Sequence, residues 1–170
     1  AGKSAFINAL VGEQVLQEGV TPTTARVQVL RHGNAAALDS TPEGLVVVQA
    51  PVEILREIHI VDTPGTNAII REHERLTTDF VPRSDLVLFV TSADRPFTES
   101  ERAFLQTIRD WGKKIVIVVN KIDILGSPAE VDEVLGFVRG AARDQLGGTV
   151  VVFGVSARLA QRAKHGEPAL

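Results

Sequence analysis

The chain has 170 residues, of which 44% are hydrophobic and 23% charged, with a formal net charge of -3. Those figures describe one soluble globular domain with a real core, and the slightly acidic balance makes duplex nucleic acid an unfavourable partner. There is no cysteine for disulfide or thiolate chemistry, and His32, His59, His73 and His165 lack ligand spacing.

The chain opens on Ala1-Gly2-Lys3-Ser4, the second half of G-x-x-x-x-G-K-[ST], and contains no methionine. The expectation is therefore a single domain over 1–170, truncated at both ends, with its first strand upstream. Gly2 to Leu10 reads as a phosphate loop running into a helix, with Phe6, Ile7, Leu10 and Val11 at helical spacing and Gly12 closing it. Lys3 would reach the outer phosphates and the Ser4 hydroxyl would ligate magnesium at the positive end of that helix.

Gly19-Val20-Thr21-Pro22-Thr23-Thr24 is a loop, followed by an extended run from Ala25 to Leu30. A threonine there can close on magnesium when a terminal phosphate is present. Thr24 is the first candidate and Thr23 the second. Residues 32–44 read as a surface excursion, Leu45 to Val48 as a short buried strand, and Val52 to Arg56 as a helical turn.

His59-Ile60-Val61 then reads as a strand that stops abruptly on Asp62-Thr63-Pro64-Gly65. This puts one carboxylate at the edge of a sheet, where it can organise a metal ion, and leaves the Gly65 N–H for a phosphate oxygen. Thr66 to Arg83 reads as a loop and a loosely packed helix.

Leu86 to Val90 is continuously apolar, as expected of a strand covered on both faces in a parallel sheet. Thr98-Glu99-Ser100-Glu101 is a capping box, continued by Phe104, Ile108 and Trp111 to Gly112. Ile115 to Val119 is the next buried strand. Ser127-Pro128-Ala129-Glu130 is a second capping box, with Val131, Val134, Leu135 and Val138 as its core stripe. Gly147-Gly148 turn into a last buried strand, Thr149 to Val155. Alternation of this kind predicts an α/β fold with a doubly wound, mostly parallel sheet flanked by helices. No apolar run reaches the roughly 20 residues needed to cross a bilayer.

Asn120-Lys121-Ile122-Asp123 follows a strand directly, where open α/β sheets bind ligands. Asp123 can accept from the N1–H and exocyclic amine of guanine, a donor pair that adenine lacks. Asn120 would tie this loop to the base and the phosphate loop, and the Lys121 stem can lie along the ring. Ser156-Ala157, after the last strand, can offer a backbone N–H to the guanine O6.

These four motifs, in this order, resemble those of the P-loop GTPases over nearly the whole chain. The closer resemblance is to the bacterial dynamin-like proteins, carried by Gly19 to Ala25 (GVTPTTA), Val61 to Asn67 (VDTPGTN) and Asp85 to Glu101 (DLVLFVTSADRPFTESE). It implies GTP hydrolysis stimulated when two domains meet across their nucleotides, and membrane remodelling by regions outside this segment. A cytoplasmic location, or a peripheral one at the inner face of a membrane, is expected, the lack of cysteine suiting the cytosol. On this reading GTP or GDP and Mg2+ are the cofactors, with Ser4, Thr24 and Asp62 on the metal. Lys3, Thr24 and Gly65 act in hydrolysis, while Gly2, Thr23, Asn120, Lys121, Asp123, Ser156 and Ala157 complete the nucleotide site.

Thr66 and Asn67 stand after Gly65 where many small GTPases carry a water-orienting glutamine. Asp94 to Phe97 is expected at the nucleotide rim, contacting a partner domain. Reversing the charge of Asp94 is then expected to lower stimulation and leave GTP affinity alone. Two other readings fit the same motifs: a ribosome-assembly type GTPase acting through an RNA-binding domain, and a nucleotide-binding scaffold that does not hydrolyse. Flanking sequence separates the first, since long amphipathic helices favour dynamin and a compact basic domain favours RNA.

Overall fold

A computed structural model describes residues 2–19, 26–42, 44–64 and 76–166. Helix α1 (Lys3–Val11) begins after Gly2 and ends on Gly12, both in the left-handed region, with the Gly12 N–H donating to the Asn8 carbonyl. Asn8 is buried in its middle. Its Oδ1 accepts from the N–H groups of Val15 and Leu16, and its Nδ2 donates to the Leu16 carbonyl and Glu18. An otherwise mediocre helix former thereby fastens the segment after the helix to the helix itself.

Four strands form a mixed sheet in the order β2-β3-β1-β4: β1 (Gln28–His32), β2 (Ala37–Ser40), β3 (Val46–Ala50) and β4 (Ile60–Asp62). β1 runs parallel to β3 and antiparallel to β4, with Gln28 opposite Asp62. A short helix, α2 (Ile54–Glu57), buries Leu55. Ile7 and Val11 of α1 pack with Leu30, Val48, Ala50 and Leu55 as one core.

Three parallel strands form a second sheet, β5 (Val87–Ser92), β6 (Ile115–Asn120) and β7 (Val151–Gly154). Helices α3 (Glu99–Arg109) and α4 (Pro128–Leu146) cover one face, where Phe89, Ile117, Val119 and Val152 meet Leu105, Ile108 and Val138. Helix α5 (Ala157–Lys164) packs beside α1. Lys164 donates to the Leu10 carbonyl and Gln161 to that of Ala5, joining the two ends of the chain. The predicted class holds: parallel strands flanked by helices.

Several expectations are corrected. The surface excursion at 32–44 contains β2, an antiparallel partner of β3 whose four side chains are all exposed. Continuous apolarity in β5 and β7 does not mean coverage on both faces, because Leu88, Val151 and Phe153 are exposed while Phe89 and Val152 are buried. Trp111 is exposed, and Leu105 takes the core position in its place.

The Thr98 box closes in both directions, with Glu101 N–H donating to Thr98 Oγ1 and Thr98 N–H to Glu101 Oε2. The Ser127 box is only half made, since Glu130 Oε2 accepts from Gly126 N–H rather than from Ser127. Of the segment Thr66 to Arg83, the described part holds a π turn, Leu76–Phe80, and a 3-10 turn, Val81–Arg83.

Candidate functional site

Asn120, the last residue of β6, is 2% exposed and joins three motifs far apart in sequence. Its Oδ1 accepts from the N–H of Lys121 at 2.8 Å and of Ala157 at 3.0 Å, and its Nδ2 donates to the Gly2 carbonyl at 3.3 Å. One planar amide thus holds the start of α1, the N-K-x-D loop and the start of α5 in register. Gly2 fits because it has no side chain: a Cβ there would sit 2.8 Å from Asn120 Nδ2, and its φ of +74° is left-handed.

Lys121 is also left-handed, at φ 67°, which turns the chain sharply from β6 into the 3-10 turn Ile122–Ile124. Around this junction lies a cavity of about 210 Å³, lined among others by Gly2, Asn120, Lys121, Asp123, Ala157 and Arg158. That is small beside the several hundred Å³ of a drug-sized pocket and suits a single flat ring system. The Asp123 side chain is 7% exposed, and its Oδ2 lies 2.6 Å from Arg158 Nη2.

Ser156 and Ala157 make contacts of their own at the start of α5. The Ala157 N–H is engaged by Asn120, and the Ser156 hydroxyl caps α5 by accepting from Leu159 N–H at 3.1 Å. Sequence reasoning gave no role to Arg158. An arginine in the first turn of a helix is ordinary, and only its neighbour across the cavity distinguishes it.

Lys3 is the first residue of α1, and Asp62 is the last residue of β4, 2% exposed. Burial pushes the Lys3 ammonium below its ordinary value, while the nearby Asp62 and Glu101 carboxylates pull it back up. Lys3 is thus near enough to both the end of the mixed sheet and the first turn of α3 for their carboxylates to act on its charge. Glu101 is itself buried and accepts from the Thr91 hydroxyl at 3.0 Å, whose oxygen accepts from the Phe97 N–H at 3.1 Å. That network holds Phe97 at φ 58°, an uncommon conformation for a bulky residue.

Ser4 lies in the same first turn as Lys3, half-buried. Ser4 and Asp62 offer only oxygen donors, which suits magnesium bound partly by phosphate, and no cluster of three or more His, Cys, Asp or Glu able to hold a metal occurs among the described residues. Thr23, Thr24 and Gly65 lie outside the described residues.

Asp94 hydrogen-bonds the Ser92 hydroxyl, which holds its carboxyl below the usual range, and its Oδ1 is 3.9 Å from Lys121 Nζ. Asp94 therefore adjoins the N-K-x-D loop, and reversing its charge would disturb that loop as well as any partner surface. Phe97 is 3% exposed, against Phe89 and Arg102, and is not available to a partner. Among the described residues, no helix is long and apolar enough to cross a membrane.

Residues 1–44 and 40–123 match the Dynamin family. A probable transmembrane GTPase, FZO-like, from Arabidopsis thaliana chloroplasts is 45% identical over 170 residues, covering 96% of this chain and 19% of the relative. A bacterial dynamin-like protein of Nostoc punctiforme is 30% identical over 176 residues, covering 78% of this chain and 25% of the relative. A solved structure from an oligomerised bacterial dynamin pair, described as sensing and tethering membranes, superposes with a TM-score of 0.81 at 20% identity, covering 96% of this chain and 33% of that one. The chain thus spans well under half the length of each of these relatives.

Proposed function

The chain belongs to the dynamin family and carries its GTPase domain, and from that premise we propose that it binds GTP, hydrolyses it to GDP and phosphate, and does so faster when two such domains meet. The observation that carries this reading is the Asn120 junction, because a nucleotide needs its base loop and its phosphate loop held at a fixed separation. Asp123 would accept from the guanine N1–H and amine, whereas adenine has no such donor pair to offer this nearly buried carboxylate.

Lys3 would meet the outer phosphates, exchanging the desolvation that lowers its pKa for direct contact with negative charge. Ser4, Asp62 and Thr24 would hold magnesium, which supplies neutralisation of charge on the phosphates when bound. The Gly65 N–H would meet the terminal phosphate, and Gly2 lets the backbone approach it closely. The chain's own part is positioning and charge stabilisation, with no covalent step.

Pairing across the nucleotide face and action at a membrane rest on the family and on the oligomerised bacterial dynamin. The test is GTP turnover by the intact protein over a range of protein concentrations, with ATP beside it. The proposal expects GTP to be the better substrate and turnover per molecule to rise with concentration. Flat turnover would remove the pairing step, and preference for ATP would remove the reading of Asp123.

A further inference from the structure

We infer that Arg158 competes with the guanine base for the Asp123 carboxylate, and that a bound base displaces it. The inference rests on the proposed reading of Asp123 as the guanine acceptor and goes on to say how that acceptor is kept before nucleotide arrives. Arg158 Nη2 lies 2.6 Å from Asp123 Oδ2, and the two side chains are very unequally buried, at 69% exposed for Arg158 and 7% for Asp123. That inequality decides which partner depends on the pair. An exposed guanidinium released into solvent is rehydrated at little cost, whereas a nearly buried carboxylate left without a donor bears its full desolvation penalty. Asp123 therefore needs a donor at all times, and Arg158 is the one it has here.

The chemistry of the two donors is the same. Guanine presents its N1–H and its exocyclic amine from a shared carbon, which is a guanidine edge. An arginine side chain presents the same planar set of N–H groups. Arg158 and Asp123 line one cavity with Gly2 and Asn120, so base and guanidinium compete for a single carboxylate.

The rest of the junction is independent of the Arg158 side chain. The start of α5 is fixed by the Ser156 cap and by the Ala157 N–H on Asn120. Arg158 can swing out without loosening either, so a guanine base can take its place on Asp123 by exchange.

Binding of GDP carrying a fluorescent group on its ribose, followed by stopped flow and at equilibrium on the intact protein, tests this. Arg158→Ala and Arg158→Met remove the competitor, and both should bind the labelled GDP faster and about 2- to 5-fold tighter than wild type, the range of a largely exposed ion pair. Arg158→Met keeps most of the side chain's length and has no donor, so it reports even if the alanine variant folds poorly. Asp123→Ala should lose the labelled GDP. If both Arg158 variants bind equally or more weakly while Asp123→Ala loses binding, Arg158 is no competitor and the inference is overturned, with the guanine reading intact. If Asp123→Ala binds as wild type does, the guanine reading fails and the inference with it.

Discussion

Replacing Asn120 by alanine is the perturbation that reaches furthest into the site. It would strand the buried Ala157 N–H, for which a lost partner costs about 1–3 kcal/mol. The Lys121 N–H and the Gly2 carbonyl lie in part-buried positions and add about 0.5–1 kcal/mol each. These neighbours are coupled and do not sum, so the expected loss is about 2–4 kcal/mol. At about 2–4 °C per kcal/mol for a domain of this size, Tm should fall by about 5–15 °C. Binding should suffer more than folding, because the loop carrying Asp123 and the loop carrying Lys3 lose their common anchor. A fall in GDP affinity beyond about tenfold is expected, of the order that ångström-scale misplacement produces. Asn120→Asp separates the two effects: it keeps an oxygen for the Lys121 and Ala157 N–H groups but faces the Gly2 carbonyl with a second oxygen. It should unfold at a temperature between alanine variant and wild type, and still bind GDP poorly. Thermal unfolding and calorimetric titration measure both quantities. An alanine variant within about 1 °C of wild type with unchanged GDP affinity would refute the reasoning.

Gly2→Ala places a Cβ 2.8 Å from Asn120 Nδ2 on a left-handed backbone, a strain of about 1–2 kcal/mol before any clash, and should weaken GDP binding. In a double-mutant cycle with Asn120→Ala the two losses should fall short of their sum, whereas strict additivity would deny the contact. Burial lowers the Lys3 pKa, so the charged form destabilises the nucleotide-free fold at any pH below the lowered value, and the cost is relieved as pH rises towards the ordinary 10.5. Lys3→Met should therefore raise Tm at neutral pH, with a gain that shrinks at alkaline pH, while abolishing nucleotide binding. A gain constant with pH would rule out desolvated charge as its cause.

The parts of the site legible in the sequence were those where a strand period ends on a polar motif. Asp62 and Asn120 could be placed at strand ends because an apolar run stops there and a turn begins. Contacts made by side chains across the fold left no such trace. Asn8 reads as an ordinary helical position, yet it anchors the segment after α1 through the Leu16 backbone. Arg158 has nothing in its neighbours to mark it, since its partner Asp123 is brought near only by the adjacency of β6 and β7. β2 leaves no signal, because a strand with every side chain exposed has no apolar alternation to read. β5 and β7 mislead the other way, since an apolar run on both faces implies coverage that only one face has.

The most direct measurement is a structure of the intact protein with GDP and magnesium bound. The account predicts the base in the cavity beside Asn120, its N1–H and amine on Asp123, Arg158 turned away into solvent, and the phosphates at the amino end of α1 beside Lys3. A nucleotide bound elsewhere, or one whose base leaves Asp123 paired with Arg158, would contradict it.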